Sequence, residues 1–164
     1  MARKRASRRR EVYSINVGYP ASKPVAGYFP KVLYPDRFED QTSFPLEPPF
    51  QGWKGELTWT FSYYRGIMVD WALMLDVIRS DAPIDVAVHG PRERRRVERV
   101  DCCDSQIHRH LFTINSDPDD DDGERQIFRE LTANDADIVD GEFHHYFDML
   151  IGHWPERVRR WLDG

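Results

Sequence analysis

From Glu56 onward, apolar and polar positions alternate. Leu57, Trp59, Phe61 and Tyr63 interleave with Glu56, Thr58, Thr60, Ser62 and Tyr64. A period of two sends successive side chains to opposite faces, so the pattern predicts a half-buried strand of good β formers. Arg65-Gly66 supplies a turn. Val69, Trp71, Leu73, Leu75 and Val77 then alternate with Met68, Asp70, Ala72, Met74 and Asp76. Met68, Trp71, Leu75 and Ile78 also fall at helical spacing. The two acids nevertheless sit on the polar phase of the alternation, and the turn before them is short, so a second strand is expected over 67–78. Ile84, Val86 and Val88 suggest a short strand, and Gly90-Pro91 a turn. Further strands are expected over 97–103, from Ile107 to about Ile114, and over 126–131.

The period changes near the C-terminus. Val139, Phe143, Phe147, Leu150 and Trp154 recur every three or four residues, which predicts a helix with Asn134 or Asp135 able to cap it. Phe143, Phe147, Leu150 and Trp154 are expected to face the sheet, with Glu142, His145 and Asp148 turned away. Gly152 and Pro155 break the helix, and Pro155 suits the first turn of a second one carrying Val158, Trp161 and Leu162. A run of strands followed by a helix gives an α+β domain: an antiparallel β-meander of four to six strands packed against a C-terminal helix.

The N-terminal third reads differently. Residues 1–11 hold six basic groups and, beyond Met1, no large apolar side chain, which predicts a solvated tail. Residues 12–55 carry Pro20, Pro24, Pro30, Pro35, Pro45, Pro48 and Pro49, and these exclude regular helix and central strand. Tyr13, Tyr19, Tyr28, Phe29, Tyr34, Phe38, Phe44, Phe50 and Trp53 lie in the same stretch. It is therefore expected to be an irregular arm that tucks its rings into the domain formed by 56–164.

Composition narrows the function classes. The chain of 164 residues carries a net charge of −5, and the six bases at its start leave 17 basic against 28 acidic residues in the rest. An acidic body argues against a broad nucleic-acid-binding face. No apolar run reaches the length of a membrane span, and the best, 67–78, is broken by Asp70 and Asp76. Cys102 and Cys103 are the only cysteines and cannot form a disulfide framework, so a reducing cytoplasm is the expected setting.

The densest chemistry lies in 99–112, read as two strands joined around Asp104-Ser105-Gln106. This hairpin holds Arg99, Asp101, Cys102, Cys103, His108, Arg109 and His110. Its register decides what meets what. A three-residue loop sets Asp101 opposite Arg109. A turn on Ser105-Gln106 alone sets Asp101 opposite His110 and Cys103 opposite His108, and an Asp–His pair can orient an imidazole for general-base work. In either case His108 and His110 share a face, where two imidazoles can hold a phosphate or a metal. The alternative is that they dress the open face of a sheet.

A metal needs further ligands, from Asp101, Cys102 or Cys103, and His144 or His145. The spacing matches no standard zinc pattern, so no metal or cofactor is expected. A metal-dependent enzyme using His108, His110 and Asp101 ranks below the metal-free readings. Of the two cysteines, one is expected to be a buried small hydrophobe and neither a nucleophile. The acidic run from Asp117 to Glu124 fails the EF-hand test, because Asp122 stands at its sixth position and Phe128 at its twelfth. Of His144 and His145, one is expected to point inward and the other outward.

Four elements together resemble a group of small prokaryotic proteins of unassigned function. They are Arg99-Val100-Asp101, His108-Arg109-His110, the short strand expected from Gln126 to Leu131, and Trp154 followed by Arg157, Arg159 and Arg160. Some members of that group are toxin components of toxin–antitoxin pairs. The chain differs from them in its Asp104-Ser105-Gln106 turn, its long aromatic arm and its acidic loop. The resemblance implies a toxin-like protein acting on RNA, with a cognate antitoxin-like protein as partner. On that reading His110 and His108 serve as base and acid, Asp101 orients a histidine, and Arg99 or Arg109 holds the phosphate. The competing expectation is a non-enzymatic interaction module that uses the aromatic arm and a sheet edge, including for self-association.

Overall fold

The structure, a computed structural model, describes residues 27–81, 94–119 and 122–164. Helix α1 (Pro30–Leu33) precedes six strands: β1 (Phe38–Phe50), β2 (Trp53–Tyr64), β3 (Ile67–Arg79), β4 (Arg94–Asp101), β5 (Gln106–Leu111) and β6 (Glu124–Glu130). Helices α2 (Ala136–Gly152) and α3 (Trp154–Asp163) follow. The strands form one antiparallel sheet in chain order, the α+β meander that the alternation predicts. Tight turns enforce this order. Arg65 (φ 51°) and Gly66 (φ 84°) join β2 to β3, and Gln51 (φ 49°) and Gly52 (φ 83°) join β1 to β2. Two positive φ angles in a row give the turn whose twist matches the flanking strands.

β1 occupies part of the segment expected to be irregular. Its prolines exclude a central strand, but β1 is an edge, which needs hydrogen-bond donors on one side only. Pro48 and Pro49 fall where the pairing with β2 shifts, between Leu46 and Phe50. The arm's rings do tuck in at Tyr28, which is fully buried and donates its hydroxyl to the Val69 carbonyl at 2.7 Å. The basic tail and the short strand expected near Val86 lie outside the described residues.

Leu57, Trp59 and Phe61 pair with Leu75, Leu73 and Trp71, so these odd positions share one face of the sheet. α2 covers that face. Trp71 Nε1 donates to the Val139 carbonyl at 2.8 Å, and Asp140 Oδ1 accepts the Met68 N–H at 2.9 Å. Val139, Phe143, Tyr146 and Leu150 are the buried residues of α2. The expected stripe is therefore rotated slightly: Tyr146 is buried, while Phe147 is half-buried between Phe44 and Trp59. His144 and His145 are both exposed, not one in and one out. Asp135 occupies the N-cap of α2 but bonds the Thr132 N–H at 2.6 Å instead of capping.

α3 closes the same side through Trp154, Val158 and Trp161, with Trp161 edge-on to Trp53. No helix among the described residues is long and apolar enough to cross a membrane.

Candidate functional site

The β4–β5 hairpin turns on Asp104 (φ 54°) and Ser105 (φ 59°), and the Gln106 N–H donates to the Cys103 carbonyl at 3.0 Å. Asp101 therefore faces His108, and Arg99 faces His110. Neither register expected from the sequence is present. The turn has two residues, but it starts one position earlier than Ser105-Gln106, because a short polar side chain tolerates the left-handed region. Across β3, Asp101 pairs with Ala72 and Arg99 with Met74. These are even positions of β3, so Arg99, Asp101, His108 and His110 all lie on the sheet face opposite α2.

The four side chains form one network around the Asp101 carboxylate. His108 Nε2 lies 3.2 Å from Asp101 Oδ1, and Arg99 Nε lies 2.8 Å from Oδ2. His110 Nε2 is 4.0 Å from Oδ2 and 3.0 Å from an Arg99 guanidinium nitrogen. Its Nδ1 bonds the Asp122 carbonyl. The two imidazoles meet edge to face, 4.8 Å between ring centres. His108 is 0 % exposed and His110 3 %, so both stand behind the carboxylate and away from solvent. Burial lowers the His108 pKa, against the upward pull of the Asp101 charge.

In front of the network lies an open cleft of about 710 Å³ on the same sheet face. Thr60, Ser62, Asp70, Arg99, Asp101 and Cys103 contribute to its wall, with Lys31 of α1 and Glu39 of β1 at its margin. Asp70 was not singled out by sequence as a functional residue, although its place on the polar phase of β3 was the available signal. Ser62 pairs with Asp70 and Ala72 with Asp101, so the two carboxyls are diagonal neighbours on adjacent strands. Their settings differ. Burial raises the Asp70 pKa, while Arg99 and His108 surround the Asp101 carboxylate.

The two cysteines divide as expected. Cys102 is buried, and its sulfur accepts the Trp71 N–H at 3.2 Å. Cys103 is at the surface, and its N–H donates to Asp101 Oδ1 at 3.2 Å. Desolvation and the neighbouring Asp101 push the Cys103 thiol pKa up, so in this setting it is no ready nucleophile.

Arg109 is not part of this site. It pairs with Val100 and so projects from the α2 face, where its guanidinium bonds Gln126 Oε1 at 2.6 and 2.8 Å and lies 5.3 Å from the centre of the Phe128 ring. On that face the fully buried Glu98 is held by Arg157 and Arg160 of α3.

No protein-family model, curated protein or solved structure matches the chain.

Proposed function

We propose that the protein is a small toxin-like ribonuclease whose reaction takes place in the cleft on the open face of the sheet. The supporting observation is that two carboxyls, Asp70 and Asp101, border the cleft together with Arg99, and that burial raises the pKa of Asp70. Two such carboxyls divide acid and base roles between them. Asp101 takes the proton of the RNA 2′-hydroxyl, whose oxygen attacks the adjacent phosphorus. Asp70 gives its proton to the departing 5′-oxygen. The products are a 2′,3′-cyclic phosphate and a 5′-hydroxyl end, and proton exchange with water resets the two acids. Arg99 faces the charge that builds on the phosphate oxygens. His108 and His110 are positioning residues here, because they reach the cleft only through Asp101 and Arg99.

The charged cleft residues are Lys31 and Arg99 against Glu39, Asp40, Asp70 and Asp101. This balance suits contact with one phosphate held by Arg99, not a backbone tracked over many nucleotides. The purified chain should cleave RNA to cyclic-phosphate ends and leave DNA, which lacks the 2′-hydroxyl, intact. Asp101→Asn and Arg99→Ala should each abolish cleavage. Undiminished cleavage by Asp101→Asn, or equal cleavage of DNA, would sink the assignment.

One observation favours a second reading, an interaction module. The edge strand β6 exposes Ile127 (53 %) and Phe128 (40 %), and apolar side chains on a sheet edge invite strand addition. Light scattering on the wild type and on an Ile127→Lys variant tests it: a multimer that dissociates in the variant supports the module, and a monomer in both removes self-association.

A further inference from the structure

We infer that Asp101, Cys103 and His108 form a site for a single divalent transition-metal ion, with zinc the best fit. The carboxylate, thiol and imidazole donor atoms all lie within 4.8 Å of one another. Zinc bonds nitrogen and oxygen at about 2.0–2.1 Å and sulfur at about 2.3 Å, so tetrahedral ligands stand roughly 3.3–3.6 Å apart. Here His108 Nε2 is 3.2 Å from Asp101 Oδ1 and 3.9 Å from Cys103 Sγ. The remaining adjustment falls on Cys103, a surface residue whose side chain has room to turn.

Three features make the cluster more than a chance meeting of polar groups. The Cys103 N–H bonds Asp101 Oδ1, so the turn itself holds carboxylate and thiol on the same side. Cys102, the adjacent cysteine, is committed elsewhere through its bond from the Trp71 N–H, so one thiol alone is available. Asp101 and Cys103 both border the cleft, which leaves the fourth coordination position facing it. Three protein ligands with an open fourth position is the arrangement of zinc sites that bind water or substrate. Binding would release the thiol proton and replace the His108–Asp101 contact with two bonds to the ion. The spacing hides the site, because the three ligands sit across a single β-hairpin and match no zinc motif. The inference stands on this geometry alone; with the ion bound Asp101 is a ligand and does not also take the 2′-hydroxyl proton, so the cleavage chemistry above belongs to the metal-free chain.

The test is a titration of the reduced, metal-free full chain with cobalt(II), which reports thiolate and tetrahedral coordination by its absorption. Uptake should saturate at one ion per chain with a thiolate-to-cobalt charge-transfer band, and zinc should displace it. Cys103→Ser, at the surface, should keep the wild-type circular dichroism and lose the band. His108→Ala should weaken cobalt binding at least tenfold. Absence of saturable uptake, or a band that survives in Cys103→Ser, would overturn the proposal. The readout contains no RNA, so its failure leaves the ribonuclease reading untouched, and a failure of RNA cleavage leaves this one untouched.

Discussion

Asp101 Oδ1 lies 3.2 Å from His108 Nε2 because the hairpin turns at Asp104-Ser105 and not one residue later. A slip of one residue would move every side chain of β5 to the other face. The site therefore depends on two residues that hold left-handed φ angles without being glycine. Ser105→Val should destabilise the protein by about 1–3 kcal/mol, since a β-branched residue is strained there. Ser105→Gly should cost far less, because relief at φ 59° offsets loss of the 3.3 Å bond from Ser105 Oγ to the Tyr28 carbonyl. Urea unfolding of both variants checks this. Equal loss in the two would show that the hydroxyl bond matters and the backbone angle does not.

A second relationship ties α3 to the sheet. Arg157 reaches both oxygens of the fully buried Glu98 at 2.6 Å, and Arg160 reaches one at 3.1 Å. Glu98→Gln removes the carboxylate that holds the largely buried Arg157 guanidinium and should cost about 3 kcal/mol, toward the lower end for removal of one partner from a buried pair. The Arg129–Glu142 pair is 3.5 Å apart with side chains 47 % and 28 % exposed, so Glu142→Gln should cost only about 0–1 kcal/mol. Thermal melts that rank these two variants the other way would mean that the Glu98 cluster is not a stabilising element.

Asp70 predicts a dependence on pH. Burial raises its folded-state pKa above the ordinary 3.8. The folded protein therefore holds the proton more tightly than the unfolded chain. Its favourable contribution is complete below pH 3.8 and is lost as the pH rises through the folded-state value. Asp70→Asn removes the charge without changing the shape. The variant should be more stable than wild type at neutral pH, and the gap should close as the solution is acidified. Denaturant midpoints measured across that range read it directly, and a gap that widens on acidification would reverse the assignment.

The fold was legible where alternation and turn chemistry agree. Leu57 to Tyr63, Arg65-Gly66 and Val69 to Val77 all point to one hairpin, and the hairpin is there. β1 was not legible, because proline argues against central strands and says nothing against an edge. The site was legible in part. Arg99, Asp101, His108 and His110 do meet, but their register was hidden, since Asp104-Ser105 carries no Asn-Gly or Asp-Gly signal. Arg109 could have been separated from the histidines by period-two geometry alone: it stands between them in sequence and so projects from the other face. Asp70 escaped notice because it lies 31 residues before Asp101, and only the sheet brings them together.

The phase of α2 can be tested by truncation. Leu150 is fully buried, Phe147 is half-buried, and Asp148 is exposed. Leu150→Ala should cost about 2–5 kcal/mol, the range for a large aliphatic side chain removed from a core. Phe147 packs against Trp59 and Phe44 at ring-centre distances of 5.3 and 6.0 Å, but it keeps one side in water. Its truncation should cost roughly half of the 3–5 kcal/mol of a fully buried phenylalanine. Asp148→Ala should stay within about 0.5 kcal/mol of wild type. The order Leu150, Phe147, Asp148 follows from a helix whose buried stripe runs through Val139, Phe143, Tyr146 and Leu150. Had the stripe been centred on Phe147, its truncation would equal or exceed that of Leu150. Unfolding midpoints showing that order would place α2 one residue out of phase with the structure.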